Sequence, residues 1–298
     1  MNKKTLLIID LYGLLFRSYY ALSYMPTESG ININAVYGVI KSLISLFDYV
    51  SHDWVILALD GSGKGIRHEM FSEYKANRIK CPEDLIPQFA ILDEFIASSD
   101  LKSLRINGYE ADDIIATYTK IGKENNANVV ISTSDKDLMQ LVGDGVSVYS
   151  QKDRGFIHTE QVFDNFGVKP SQIVDYLALI GDTSDNIPGV NGIGRKKAQF
   201  LLNKYKNIEE IYEKIDEIDN NVIKLALIND RDNAFLSKKL ASLIIIEEEG
   251  IDKNIDYFGK FNKNSEKFIN FCKKYNIKLF NQEKIKQNPP INEQMNLL

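Results

Sequence analysis

Three runs of apolar, β-branched residues punctuate the first half of the chain: TLLIID (5–10), DWVILALD (53–60) and ANVVISTSD (127–135), each ending in an aspartate. They read as buried parallel strands. Between them, AVYGVIKSLISLFDYV (35–50) and DLIPQFAILDEFIASS (84–99) carry helical spacing, so the alternation predicts an α/β domain with a mostly parallel central sheet. Ligands of such open sheets bind beyond the carboxyl ends of the strands. Asp10, Asp60 and Asp135 would all point to that edge.

After residue 160 the pattern becomes helical. QIVDYLALIGDTSDNIPGVNGIGRKKAQFLLNKY (172–205) holds a helix, an acidic turn, a glycine loop and a basic helix. Ile193 can anchor the loop in the core while Gly189, Gly192 and Gly194 leave backbone N–H groups facing outward. With Arg195, Lys196 and Lys197 opening the next helix, this predicts a phosphate-binding nest that reads backbone rather than sequence. Residues 206–248 continue as charged amphipathic helices, and 249–280 are irregular, aromatic and lysine-rich. The expected division is an α/β domain over 1–170, a helical domain over 171–280 with a hairpin at 182–205, and a disordered polar tail over 281–298.

One segment, GSGKGIRHEMFSEYKANRIKCPE (61–83), is too polar for core. It is either a solvated loop with a short helix, or a mobile basic segment over the acidic edge. In the second reading Arg67, Lys75 and Arg78 contact phosphates and Tyr74 stacks on a base or sugar.

At 298 residues and 44% hydrophobic content the chain can bury a proper core. Asp10 interrupts the early apolar run, which argues against a signal peptide, and no apolar stretch approaches the ~20 residues of a membrane span. Cys81 and Cys272 lie far apart, and His52, His68 and His158 are scattered, so reduced thiols in a cytoplasmic protein are expected rather than a disulfide or zinc site. A net charge of −5 is at first sight unsuited to nucleic acid, yet removing the nine carboxylates of the acidic motifs leaves +4.

In NGYEADDIIATY (107–118), Glu110, Asp112 and Asp113 crowd directly before an apolar helical pattern. Acids in a first helical turn gain about 0.3–1 kcal/mol each from the macrodipole, and capping alone would explain one of them. Three invite a second explanation. Asp10, Asp60, this trio, Asp135 and Asp137 in SDKD, and Asp182 and Asp185 in GDTSD could converge, and like charges so placed shift upward in pKa or bind cations. All-carboxylate ligation suits Mg²⁺ or Mn²⁺. Two such ions ~4 Å apart can activate water and stabilise the leaving oxygen in phosphodiester cleavage.

Together, IID, LALD, RHE, YKANR, GYEADD, STSDKDL and GDTSDNIPGVNGIG resemble the bacterial and phage branch of the 5′-nuclease family. That branch includes flap endonucleases and the N-terminal 5′-3′ exonuclease domain of DNA polymerase I. The likeness covers roughly 4–205 and extends more loosely to about 280. It implies a PIN-like α/β domain, a helical arch from about 61–90, and a helix-hairpin-helix that grips duplex DNA through K⁺. It further implies that Asp10, Asp60, Glu110, Asp112 and Asp113 form the tighter metal site, with Asp135, Asp137, Asp182 and Asp185 completing a second. Lys75 and Arg78 would contact the scissile phosphate with Arg67 beside them, and Arg17 would lie near the DNA or simply be an exposed helix arginine. Leu11 and Tyr12 depart from the family, which commonly has a small residue after the first aspartate.

The resemblance implies a monomeric, Mg²⁺-dependent nuclease of replication and repair. Its substrates would be branched or 5′-ended duplex DNA and RNA-primed ends, at the nucleoid, with a polymerase in cis or in trans. A PIN-type ribonuclease and a catalytically silent branched-DNA-binding module are the competing readings. Gln294, Met295, Leu297 and Leu298 resemble the bacterial sliding-clamp peptide, Gln-Leu-x-Leu-Phe, although Leu298 lacks the final aromatic; an unstructured end is the alternative.

Overall fold

The computed structural model describes residues 3–247 and 251–278. Strand β1 (Thr5–Asp10) leads into helix α1 (Leu11–Ala21), and α2 (Asn34–Tyr49) returns the chain to β2 (Trp54–Leu59). The short α3 (Ile66–Met70) and longer α4 (Ile86–Ser99) precede β3 (Lys102–Arg105), and α5 (Ala111–Glu124) connects to β4 (Asn128–Ser132). Strands β5 (Val146–Ser150) and β6 (Gly155–Ile157) form a hairpin that closes the sheet. Six strands lie in the order β3-β2-β1-β4-β5-β6, all parallel except β6.

Alternation along the central strand divides the interior, because successive side chains leave opposite faces. Leu6 and Ile8 join a core with Ile114, Ile115 and Tyr118 of α5, whereas Leu7 and Ile9 join one with Leu43 of α2 and Leu92 of α4. Both faces are therefore dry, which is why these strands read as continuous apolar runs.

The helical half follows: α6 (Thr159–Phe166), α7 (Ile173–Ile180), α8 (Arg195–Lys204), α9 (Ile208–Glu213), α10 (Asn221–Asn229) and α11 (Arg231–Ala241). Ile187, Ile193, Leu201 and Leu240 belong to the same core as α5 and the sheet. The last helix, α12 (Glu266–Lys274), packs back on α4, with Phe268 and Phe271 around Phe95 at ring-centroid distances of 6.0 and 5.9 Å.

The sheet register sets the site. Asp10 pairs with Ala58 and Ile9 with Ser132, so the ends of β1, β2 and β4 lie level. Strand β1 is also where the winding reverses, since its neighbours β2 and β4 lie on opposite sides, and such switch points form crevices.

Candidate active site

Acidic side chains from several segments meet at this edge. Asp10 accepts the Gly13 N–H at 2.9 Å, capping α1, and the Thr133 hydroxyl at 3.1 Å. Asp60 accepts the Ala111 N–H at 2.9 Å, tying the end of β2 to the start of α5. Glu110 and Asp112 lie at that same helix start. Asp135 accepts the Asp137 N–H at 2.8 Å, while Oδ1 of Asp137 is buried with no hydrogen-bond partner. Asp182 accepts both the Ser184 N–H and hydroxyl, at 2.8 and 2.7 Å.

Their charges act on one another. Burial, reinforced by Asp135 and Asp60, raises Asp10 to about 6. Burial and then Asp135 raise Asp137 to about 7, and burial with Asp135, Asp10 and Glu110 holds Asp112 well above the ordinary carboxylate range. Asp10 and Asp112 lie deep among protein atoms without being sealed from solvent. Crowded carboxylates that resist ionisation favour an added cation.

Basic side chains partly fill that need. Lys75 Nζ lies 2.6 Å from Glu110 and 3.8 Å from Asp185, and Arg78 Nη2 lies 2.7 Å from Asp185. Lys75 adopts a left-handed backbone, φ 58°, a conformation uncommon outside glycine and often found at functional positions. Lys136, between the two aspartates of SDKD, reaches Asp182 at 2.6 Å. Burial would raise Asp182, but the hydrogen bonds from Lys136 and Ser184 outweigh it and hold it below its usual value. Sequence reasoning singled out neither Lys136 nor Thr133, although Lys136 stands inside the SDKD motif.

Four expectations need correction. Asp113 does not face the site: it is fully buried and accepts from Arg67 Nη1 and Nη2 at 2.8 Å each, from the Ile244 N–H at 2.9 Å and from the Glu110 N–H at 3.2 Å. With every lone-pair direction used, it serves as helix cap and ion-pair partner, so of the trio only Glu110 and Asp112 remain for the site. Arg67 is equally committed, its remaining donors reaching the Leu240 and Ser242 carbonyls at 2.9 and 2.8 Å and Glu110 at 3.3 Å. No N–H is left for a phosphate. Tyr74 is 3% exposed, its hydroxyl 3.1 Å from Glu110 and 3.3 Å from Asp185, so it presents no ring face to a base.

The fourth is Gly189, whose N–H donates to the buried Ser237 hydroxyl at 2.9 Å. Its φ is 67°, and a Cβ added there would sit 2.4 Å from the Gly181 nitrogen, so glycine serves close packing here, not ligand binding. The rest of the hairpin is open to solvent at Gly192, Gly194, Arg195 and Lys196, over a buried Ile193, with Lys197 Nζ on the Gly192 carbonyl at 2.7 Å. Within 61–90, helix is confined to α3 and the first turn of α4. Arg17 is half-buried and donates to the Gln151 side chain. The departures from the family also find places: Leu11 is fully buried, and the Tyr12 hydroxyl accepts from Arg105 at 2.6 Å. Gln294, Met295, Leu297 and Leu298 lie outside the described residues.

All the converging donors are carboxylate oxygens, the chemistry of a hard divalent cation. As placed, no three histidine, cysteine or acidic side chains among the described residues come close enough to share one ion. Lys75 and Lys136 sit among the acids, so a bound cation would compete with their ammonium groups. The donor type, the raised carboxylates and the partnerless Asp137 oxygen fit such an ion.

Comparison with known proteins gives a consistent picture. The family model described as "5'-3' exonuclease, N-terminal resolvase-like domain" matches residues 5–167, and "5'-3' exonuclease, C-terminal SAM fold" matches 168–254. A 5′-3′ exonuclease of Buchnera aphidicola is 37% identical over 250 residues, covering 82% of this chain and 87% of the relative. DNA polymerase I of Borreliella burgdorferi is 35% identical over 292 residues, 95% of this chain but 32% of that protein. Among solved structures, T5 5′-exonuclease with bound zinc aligns with a TM-score of 0.68 at 25% identity, covering 80% of this chain and 89% of the other. The catalytic core of Rad2 in complex with DNA shares the fold, with a TM-score of 0.61 at 12% identity over 92% of this chain and 88% of that one.

Proposed function

Since the chain belongs to the 5′-3′ exonuclease family, we propose that its acidic sheet edge holds Mg²⁺ or Mn²⁺ and hydrolyses phosphodiesters at the 5′ ends and flaps of branched DNA. Asp10, Asp60, Glu110 and Asp112 would hold one ion, and Asp135, Asp137, Asp182 and Asp185 another. When bound, such ions supply an activated water and charge neutralisation at the departing oxygen.

The protein's own groups do the rest. Lys75 and Arg78, over the acids, place positive charge where a phosphate gains negative charge in the transition state. Tyr74 braces Glu110 and Asp185 from beneath, which fixes two carboxylates that would otherwise repel. Gly192, Gly194, Arg195, Lys196 and Lys197 grip the sugar-phosphate backbone away from the cut, so recognition follows DNA shape. A K⁺ ion at this hairpin would meet backbone carbonyls, at one of which, Gly192, an ammonium group already sits. The enzyme would act as a monomer at the cytoplasmic nucleoid, on flaps and RNA-primed ends, beside a polymerase. Its last residues would bind a sliding clamp, in which case deleting 289–298 abolishes clamp binding and leaves cleavage of free flaps unchanged.

One observation carries the proposal: acids from separate segments meet at one switch-point edge and raise one another's pKa. The test is single-turnover cleavage of a 5′-labelled double-flap DNA with Mg²⁺, with Ca²⁺, and with Mg²⁺ plus Asp112→Asn. Flap release with Mg²⁺ alone, lost in the variant while binding persists in Ca²⁺, is the expected result. Binding without cleavage in every condition would make the chain a DNA-recognition module instead.

A further inference from the structure

Outside the acidic edge, a cavity of about 530 Å³ opens between α1, α2 and the turn joining β5 to β6. Arg17, Lys41 and Arg154 line it, against a single acid, Asp48, and its wall includes Tyr49 and Gln151. Among the described residues no carboxylate forms an ion pair with Arg17 or Arg154. The Arg154 guanidinium lies 5.7 Å from the Tyr49 ring centroid, a cation–aromatic pair in the cavity wall.

The cavity also communicates with the catalytic edge. Gln151 accepts from Arg17 and donates to the Ser132 hydroxyl at 3.0 Å. The next residue, Thr133, donates its hydroxyl to Asp10. Three cations suit phosphate, but a phosphate alone would leave most of the space empty. The volume falls in the range of small-molecule sites, roughly 300–1,000 Å³. The guanidinium covers a face of the Tyr49 ring, so a planar base would stack on the outer face of the Arg154–Tyr49 pair.

We propose that this cavity is a nucleotide-binding site, separate from the acidic edge, which holds a phosphate on Arg17, Lys41 and Arg154 and a base against the Arg154–Tyr49 pair. The nucleotide arrives either free, as a released monophosphate, or still joined to a DNA strand. Neither route depends on the metal assignment above.

Binding of dAMP to the full chain, measured by calorimetry in EDTA, tests the first route. A duplex ending in one unpaired 2-aminopurine nucleotide, read by fluorescence and compared with the blunt duplex, tests the second. Arg154→Asn suits the left-handed backbone at this turn, φ 50°, while removing the charge, and Lys41→Gln is the independent variant. Each should weaken binding roughly ten-fold, the effect of losing one hydrogen bond to a charged group. Deoxyadenosine, which lacks the phosphate, should bind at least as poorly, and Lys75→Ala should bind dAMP like the parent. Weakening of dAMP alone assigns the cavity to free nucleotide, weakening of the overhang alone assigns it to the strand, and both together assign it to either form. Unchanged binding of both ligands in Arg154→Asn and Lys41→Gln, or binding lost in Lys75→Ala instead, overturns the proposal.

Discussion

Adjacent aspartates in GYEADD should respond in opposite ways to loss of charge. Asp113→Ala removes the carboxylate that pairs in bidentate fashion with the buried Arg67 guanidinium, and deletes four accepted hydrogen bonds. Burial lowers the Arg67 pKa, and Asp113 with Glu110 more than reverses this; with Asp113 gone the guanidinium still stays charged at neutral pH, because its ordinary pKa lies so far above neutrality. Breaking a buried ion pair by removing one partner costs about 3–5 kcal/mol, and Glu110, 3.3 Å from the guanidinium, offsets only part of this. For a chain of this size that is a fall in melting temperature of roughly 6–20 °C, taking about 2–4 °C per kcal/mol. Asp112→Asn removes a carboxylate that burial, Asp135 and Asp10 already hold well above its usual range, so at pH 8 the variant should melt at or above the parent temperature. Its cleavage rate should nonetheless collapse. Thermal melts in EDTA alongside single-turnover cleavage separate the two, and the reasoning fails if Asp113→Ala melts like the parent or if Asp112→Asn is the less stable of the pair.

The metal-free protein should lose stability as pH rises from about 4 to about 7. Asp10 and Asp137 have folded values raised to about 6 and about 7, so the unfolded chain gives up these protons first, and ionising them in the folded state is resisted. Added Mg²⁺ should restore the loss, and melting curves that climb with pH in EDTA would contradict this. Gly189→Ala should destabilise by about 1–3 kcal/mol, because its φ is 67° and the new methyl meets backbone, without changing how DNA affinity varies with salt. Arg195→Ala with Lys196→Ala should instead leave melting unchanged and reduce the salt slope by about 0.9 per lost phosphate contact. Lys136→Met should lower the Mg²⁺ concentration needed for half-maximal cleavage, since the ammonium at Asp182 competes with the ion; a higher requirement would show that Lys136 supports the metal site.

The strands β1, β2 and β4 announce themselves because both faces are buried, and their terminal aspartates mark the site edge. Strands β3, β5 and β6 do not: KSLR is short with alternating exposure, VSVYS mixes serine into a buried strand, and GFI has three residues. The motif acids were visible for the same reason they could not be sorted. Asp112 and Asp113 share one helical turn, and only the facing direction distinguishes a site acid from a cap. What decides it for Asp113 is Arg67, 46 positions away, and the Ile244 N–H, 131 positions away, and no local pattern encodes either. Tyr74 misleads similarly, since an aromatic in a polar segment suggests an exposed ring, whereas two carboxylates hold its hydroxyl inside.

Continuity of the core from α5 through Ile193 to Leu240 makes the molecule a caliper. One jaw is the hairpin that would grip the duplex, the other the acidic edge, and the hinge between them is solid. The spacing between grip and cut is then fixed by side-chain packing rather than by the DNA. Loosening that packing, for instance with Ile193→Ala, should scatter the position of the incision along the strand before it slows the chemistry.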